Sequence, residues 1–307
     1  MTSLAATREL WPPLPLDEWR DTYATLHMWT QIVGKTRLAL APWQNHWWQV
    51  TLHVSARGLA TGPMPYGSRT LDMEFDFLEH ELVLRTDQGA VREIALRPRS
   101  VADFYQVYLE ALDTLGIRVD LWPVPVEVEH PVRFTDDQTH ASYDPEYANR
   151  FWRILVQVDD VFKRFRGRFL GKSSPVHFFW GSFDLAVTRF SGRRAPARAG
   201  ADRVTREAYS HEVISAGFWP GSGAVQEAAF YAYAAPEPAG LRDVPPQPTA
   251  AYYQPEMGLF ILPYAAVRTA TSPVATLQEF LQSTYDVAAE LARWDRDTLE
   301  RPLEAIL

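Results

Sequence analysis

Apolar positions recur at helical spacing in four stretches of the chain. Between residues 17 and 34, Trp19, Tyr23, Leu26, Thr30 and Val33 share one face, the three-and-four spacing of a helix that buries one side. A second stripe (Val101, Phe104, Tyr108, Leu112, Leu115) follows Ser100. That serine is placed to cap, with Asp103 three residues on as the capping-box carboxylate. Gly116 suits the left-handed position just past the helix end. A third helix opens at Asp144-Pro145, a capping carboxylate followed by a proline whose missing N–H costs nothing at the first helical position. Its stripe is Phe151, Leu155, Val158, Phe162, Phe165 and Phe169. The fourth begins at Ser272-Pro273, with Leu277, Phe280, Leu281, Leu291 and Trp294 inward.

Between these helices the period changes to two, the signature of half-buried strands. Trp48, Val50, Leu52 and Val54 alternate with Gln49, Thr51, His53 and Ser55, and Leu71, Met73, Phe75 and Phe77 alternate with acidic residues. Asp87-Gln88-Gly89 is a hairpin turn between residues 83–86 and 91–95. After the third helix come strand candidates near residues 177–190, 211–218, 228–234 and 258–262. The order helix, about four strands, helix therefore occurs twice. His46-Trp47-Trp48 answers His177-Phe178-Phe179, Gly62 answers Gly192, and Val101-Ala102-Asp103-Phe104 answers Val274-Ala275-Thr276-Leu277. The expected fold is α+β: two α-β-β-β-β-α halves with mainly antiparallel sheets, residues 1–143 and 144–307, an internal duplication with pseudo-two-fold symmetry in one compact unit. Residues 194–206 and 235–249 lack periodicity and read as surface loops, the first a candidate basic flap.

Composition narrows the function classes. The net charge of −8 gives no overall field that favours nucleic acid. From residue 150 to 206, however, basic residues outnumber acidic ones, so attraction for an anionic ligand is local. The absence of cysteine removes disulfides, thiolate nucleophiles and thiolate metal sites. No basic-then-apolar leader opens the chain and no run approaches a membrane span. The expected compartment is the cytoplasm, with no membrane and no nucleic acid as partner and a small-molecule ligand as the candidate. Cofactor and oligomeric state are unknown from the sequence.

The densest chemistry lies in residues 171–193, where a lysine, an imidazole, a carboxylate and two guanidiniums are threaded through aromatics. Gly171-Lys172-Ser173 is not a phosphate loop, because Arg166 stands where the first glycine is required and the segment follows a helix. His211 and Glu212 are adjacent on a strand and point to opposite faces, so they do not chelate one ion together. A metal gathered from His140, His177, His211 and Asp136 has no supporting ligand spacing, and no metal is assigned. Asp184 and Arg189, five apart on one strand, face opposite sides unless a bulge intervenes.

Three readings stand. The first is an enzyme acting on a small anionic molecule by acid–base chemistry: His177 and His211 move protons, Asp184 or Glu212 orients them, and Lys172, Arg189 and Arg193 hold negative charge. The second is a non-catalytic binding protein with Trp180, Phe218, Trp219, Tyr231 and Tyr233 as walls. The third is a structural or partner-binding protein whose aromatics are core.

Residues 174–193 (SPVHFFWGSFDLAVTRFSGR), Tyr209-Ser210-His211-Glu212, Gly217-Phe218-Trp219-Pro220-Gly221 and Phe230-Tyr231-Ala232-Tyr233 resemble the motifs of an uncharacterised bacterial family, domain-of-unknown-function family 5996. Asn45-His46-Trp47-Trp48, His80 and Tyr143-Asp144 fit the same family in the first half. The resemblance spans nearly the whole chain. It implies that these residues matter and implies no reaction.

Overall fold

A computed structural model describes residues 9–301. The helical stripes appear as α1 (Leu16–Leu40), α2 (Val101–Thr114), α3 (Pro145–Gly167) and α6 (Pro273–Leu291). Their starts follow the caps: Ser100 Oγ accepts from the Asp103 N–H at 3.1 Å, Asp144 from those of Glu146 and Tyr147 at 2.9 and 3.2 Å, and Ser272 from that of Ala275 at 3.3 Å. α1 runs six residues past its expected end. Lys35, Thr36 and Arg37 are buried there, and packing extends the helix beyond its apolar stripe. Three short helices complete the set: α4 (Arg203–Ala208), α5 (Tyr264–Arg268) and α7 (Arg296–Leu299). α4 corrects the expectation that residues 194–206 are wholly irregular. Asp202 caps it, accepting from the Thr205 N–H at 3.0 Å.

The first half carries six strands rather than about four: β1 (His53–Val54), β2 (Gly58–Ala60), β3 (Met64–Tyr66), β4 (Arg69–Asp76), β5 (Glu81–Thr86) and β6 (Val91–Ala95). Their order is β1-β2-β4-β5-β6, with β3 also on β4. The second half has β7 (His177–Phe179), β8 (Asp184–Arg194), β9 (His211–Trp219), β10 (Ala229–Ala235), β11 (Tyr252–Gln254) and β12 (Leu259–Pro263). Their order is β7-β8-β9-β10-β12-β11, and every pairing in both sheets is antiparallel. Leu52 and Phe178 join the sheets, exchanging two backbone bonds of 2.9 Å.

The strand expected over residues 48–55 forms only at its end, as β1 (His53–Val54). Residues 45–50 form a short 3₁₀ helix, Asn45–Val50, in which His46 and Trp47 are left-handed at φ 58° and 62°. The alternation of Trp48 and Val50 with Gln49 and Thr51 imitates a strand. His46-Trp47-Trp48 therefore does not match His177-Phe178-Phe179 in backbone, being 3₁₀ helix where the latter is strand β7.

One continuous apolar core lies between the helices and one face of each sheet. In the first half Trp29 stacks on Phe104 at 4.6 Å, and the Tyr108 hydroxyl sits 3.4 Å from Met73 Sδ on β4. In the second, Phe151 stacks on Phe183 at 5.2 Å and packs against Phe178 and Phe218. Trp19 of α1 meets Phe151 of α3 at 5.3 Å, tying the halves into one core. Fully burying a side chain such as Phe178 stabilises by about 1.5–3 kcal/mol.

Candidate functional site

Strand alternation sorts the candidate residues onto two faces of the second sheet. Register places Phe179 opposite Asp184, His177 opposite Ala186, Gly217 between Ala186 and Tyr231, and Ser215 between Thr188 and Tyr233. These residues lie on the face away from α3 and α6. Leu185, Val187, Arg189 and Phe218 point the other way, into the helix-covered core.

At one end of this outer face stands Asp184. Its carboxylate accepts hydrogen bonds from the Ser182 and Tyr231 hydroxyls, and burial raises its pKa. Gly217 makes the arrangement possible, since a Cβ there would lie 2.3 Å from the Tyr231 hydroxyl oxygen and Cζ. The ring therefore lies flat on the sheet and stacks on Tyr233 at 6.1 Å, whose hydroxyl is 2.9 Å from that of Tyr209. Thr188 and Ser215 share a hydroxyl contact of 2.9 Å between the strands.

Six residues further along β8, about 20 Å at 3.3 Å per residue, the face changes sign. Lys172 Nζ lies 2.6 Å from His46 Nε2, 4.9 Å from the Phe190 ring centroid and 5.4 Å from that of Trp48. The imidazole tautomer follows from its partners. His46 Nδ1 faces the carbonyls of Glu207 and Ala208, both at 3.1 Å, and carbonyls only accept. Nδ1 therefore carries the proton, and Nε2 offers its lone pair to the lysine. Those carbonyls belong to the last turn of α4, and that of Glu207 also accepts from the Ser210 N–H at 3.2 Å. Holding His46 and Trp47 left-handed costs about 1–2 kcal/mol per residue. The contacts to α4 and the packing of the His46 ring against Phe190 at 4.7 Å offset that cost.

His211 completes this end, with its ring 5.7 Å from that of His46 and its Nδ1 3.0 Å from Ser210 Oγ. Burial and the neighbouring Lys172 charge lower the pKa values of both His46 and His211; Arg194 adds to the effect on His211. Burial also lowers that of Lys172. Among the described residues no carboxylate lies within ion-pair distance of Lys172 or Arg194. A cleft of about 180 Å³ opens beside Tyr209, lined by Ala195 to Arg198 and by Ala235 and Pro236. The Arg198 guanidinium lies 4.0 Å over the Tyr209 ring.

The other expected site residues are not gathered here. His177 lies on the outer face but is 2% exposed, wedged between the rings of His53 and Trp48 at 5.4 and 5.9 Å, and its Nδ1 has no partner. Burial holds it neutral, with a pKa of about 3, and no hydrogen bond joins it to Asp184. Glu212 points to the helix side, where it pairs with Arg193 at 2.7 Å; Arg193 also donates to the Ala292 carbonyl beyond α6 at 2.6 Å. The expected histidine–carboxylate pairs are therefore not formed.

Arg189 is 1% exposed, its guanidinium 3.4 Å over Phe165 and 4.3 Å over Tyr285 and donating to the Phe165 carbonyl. It holds the core together and does not face ligand. Phe218 is wholly buried beneath the helices, and Trp180 packs on Gly34 of α1 while donating to the Val50 carbonyl at 2.7 Å. Trp219 sits in a small apolar cluster with Val225 and Ile261 on the outer face. Sequence reasoning did not select His46, Trp48, Tyr209 or Ser182 as site residues. All four stand in the motifs quoted above: His46 and Trp48 in residues 45–48, Ser182 in residues 174–193 and Tyr209 in residues 209–212.

His140, one of the metal candidates, is held by Asp137 at 2.7 Å. Among the described residues no group of three or more His, Cys, Asp or Glu is placed to hold a metal ion. No helix among them is long and apolar enough to cross a membrane.

The model of a family of unknown function, DUF5996, matches residues 11–301, and the chain belongs to that family. No curated protein and no solved structure matches it.

Proposed function

We propose that this protein binds a small anionic molecule, a phosphate or carboxylate, on the outer face of its second sheet at Lys172, His46 and His211. One observation carries the reading: an exposed ammonium, walled by Trp48 and Phe190, has a neutral imidazole as its nearest polar partner and, among the described residues, no carboxylate. Arg194, paired with His211 across β8 and β9, adds a second unneutralised cation on the same side. Aromatic walls with a few convergent donors are how proteins orient small ligands. Binding is favoured over acid–base catalysis because neither histidine meets a carboxylate. The catalytic reading retains support from Asp184, a buried acid held by two hydroxyls at the far end of the same face.

The test is calorimetric titration of the full chain with inorganic phosphate and with benzoate. Wild type is expected to bind at least one of them saturably. Lys172→Gln is expected to weaken that binding about tenfold or more, since a hydrogen bond to a charged group contributes about 1.5–3 kcal/mol. Equal affinity in the variant, or no binding of either anion, overturns the proposal.

The two halves, 1–143 and 144–307, are read in the same proposal as copies of one unit about a pseudo-two-fold axis near Leu52 and Phe178. The supporting feature is the order of elements: each half opens with a long helix and then builds a five-strand antiparallel meander, interrupted once, by β3 or by β11.

A further inference from the structure

Thirty side chains of this protein are Lys or Arg, and only three are lysine: Lys35, Lys163 and Lys172. Arginine is fixed in its charge; lysine sheds a proton when its surroundings are dry and then becomes a nucleophile. Lys163 is an ordinary exposed partner of Asp159 one helical turn away. Lys35 is 5% exposed, closed in beneath the rings of Phe134 and Trp180. Lys172 alone combines open approach, a desolvating aromatic wall and a base at hydrogen-bond distance. That base has a fixed tautomer, with its free lone pair aimed at Nζ.

We propose that Lys172 is a nucleophilic amine that captures small aldehydes or ketones as an imine, and that its partners are carbonyl compounds bearing a negative charge. The second clause rests on the anion-binding reading; the first does not. His46 Nε2 takes a proton from the Lys172 ammonium. The free amine attacks the carbonyl carbon, a C–N bond forms, and the C=O π pair moves to oxygen, which receives the proton from His46. His46 Nε2 next takes a proton from the newly bonded nitrogen and gives it to the hydroxyl; the C–O bond then breaks, water leaves, and the nitrogen lone pair forms the C=N of a protonated imine. One carbonyl and one amine become one imine and one water, with no outside oxidant or reductant. Burial lowers the Lys172 pKa, and the groups facing Nζ, His46 from the 3₁₀ helix, His211 from β9 and Arg194 from the end of β8, supply no anion to hold the proton.

The test is reductive trapping on the full chain at pH 7.5. The protein is incubated with 4-carboxybenzaldehyde or benzaldehyde and cyanoborohydride, and the adduct at each lysine is followed by peptide mass spectrometry. Lys172 is expected to be modified at least about tenfold faster than Lys163 and than Nα-acetyl-lysine, as for an amine activated by desolvation and a base. His46→Asn keeps a residue that tolerates left-handed backbone and removes Nε2. It is expected to bring the Lys172 rate down to that of Lys163, with an unchanged Lys163 rate and a cooperative melting transition as the check on folding. Labelling of Lys172 no faster than Lys163, or labelling led by Lys35, overturns the nucleophile. Equal trapping of both aldehydes at a fast Lys172 upholds the imine and overturns the anionic partner; preference for the carboxylated aldehyde upholds both.

Discussion

Gly217 is the residue on which the carboxylate end of the outer face depends, and replacing it with alanine separates contact from conformation. Its φ lies outside the left-handed range, so the backbone accepts alanine and gains about 0.5–1 kcal/mol from reduced unfolded-state entropy. The side chain is what does not fit. A methyl carbon 2.3 Å from the Tyr231 ring must be relieved to about 3.5–4 Å, so the ring tilts off the sheet by more than 1 Å and its hydroxyl leaves Asp184. Losing that hydrogen bond to a buried charged group costs about 1.5–3 kcal/mol, and residual crowding adds about 1–3. The net is a destabilisation of about 2–5 kcal/mol. Chemical denaturation followed by tryptophan fluorescence measures it for Gly217→Ala, Tyr231→Phe and the double variant. Tyr231→Phe alone is expected to cost about 1.5–3 kcal/mol. In the double variant the bond is already gone, so the glycine substitution is expected to cost less by that amount. A neutral or stabilising Gly217→Ala, or a cost that Tyr231→Phe leaves unchanged, refutes the reasoning.

Two further outcomes are expected. Burial depresses the folded-state pKa of His177 to about 3 from the ordinary 6.5, so its neutral form contributes stability above pH 6.5 that is lost as pH falls. His177→Phe is therefore expected to gain about 2 kcal/mol on wild type between pH 7 and pH 5 in paired denaturation curves. A constant difference across that range counts against a neutral buried imidazole. For Arg189, stacked between Phe165 and Tyr285, Arg189→Lys is expected to cost at least about 2 kcal/mol and Arg189→Met less, because a compact ammonium loses the planar stacking yet keeps the burial penalty. Melting temperatures in the reverse order would show that the charge, not the planar fork, holds the cage.

What was legible in the sequence was local. The caps at Ser100, Asp144 and Ser272 sit beside the backbone they satisfy, so residue type and offset suffice to place helix starts. Alternation within β8 suffices to separate Asp184 from Arg189. The segment 45–50 was misread because its conformation is set from far away: His46 is held left-handed by carbonyls at Glu207 and Ala208, more than 160 residues distant. Alternating large side chains there satisfy a strand pattern without forming one. Arg189 was misplaced for a related reason. A guanidinium in an aromatic-rich motif suggests an anion contact, whereas its rings come from α3 and α6 and enclose it.

The same distinction bears on how the lysine end should be recognised. Motif logic looks for partners at fixed spacing, and Lys172, His46 and His211 have none; they are brought together by a 3₁₀ helix, the run into β7 and the start of β9. Their chemical character comes from what surrounds them. Arg193 and Lys163 each meet a carboxylate, and Arg189 meets a carbonyl and three rings, so their charges are spent inside the fold. Lys172 meets an imidazole lone pair and two rings on a partly open face. Desolvation without a counter-ion disfavours the ammonium, and the unneutralised Arg194 on the same side adds to the attraction for an anion. A ligand that supplies negative charge relieves that imbalance; a carbonyl that consumes the free amine uses it. The geometry suits one molecule that does both, and comparing the two aldehydes decides whether the protein makes use of it.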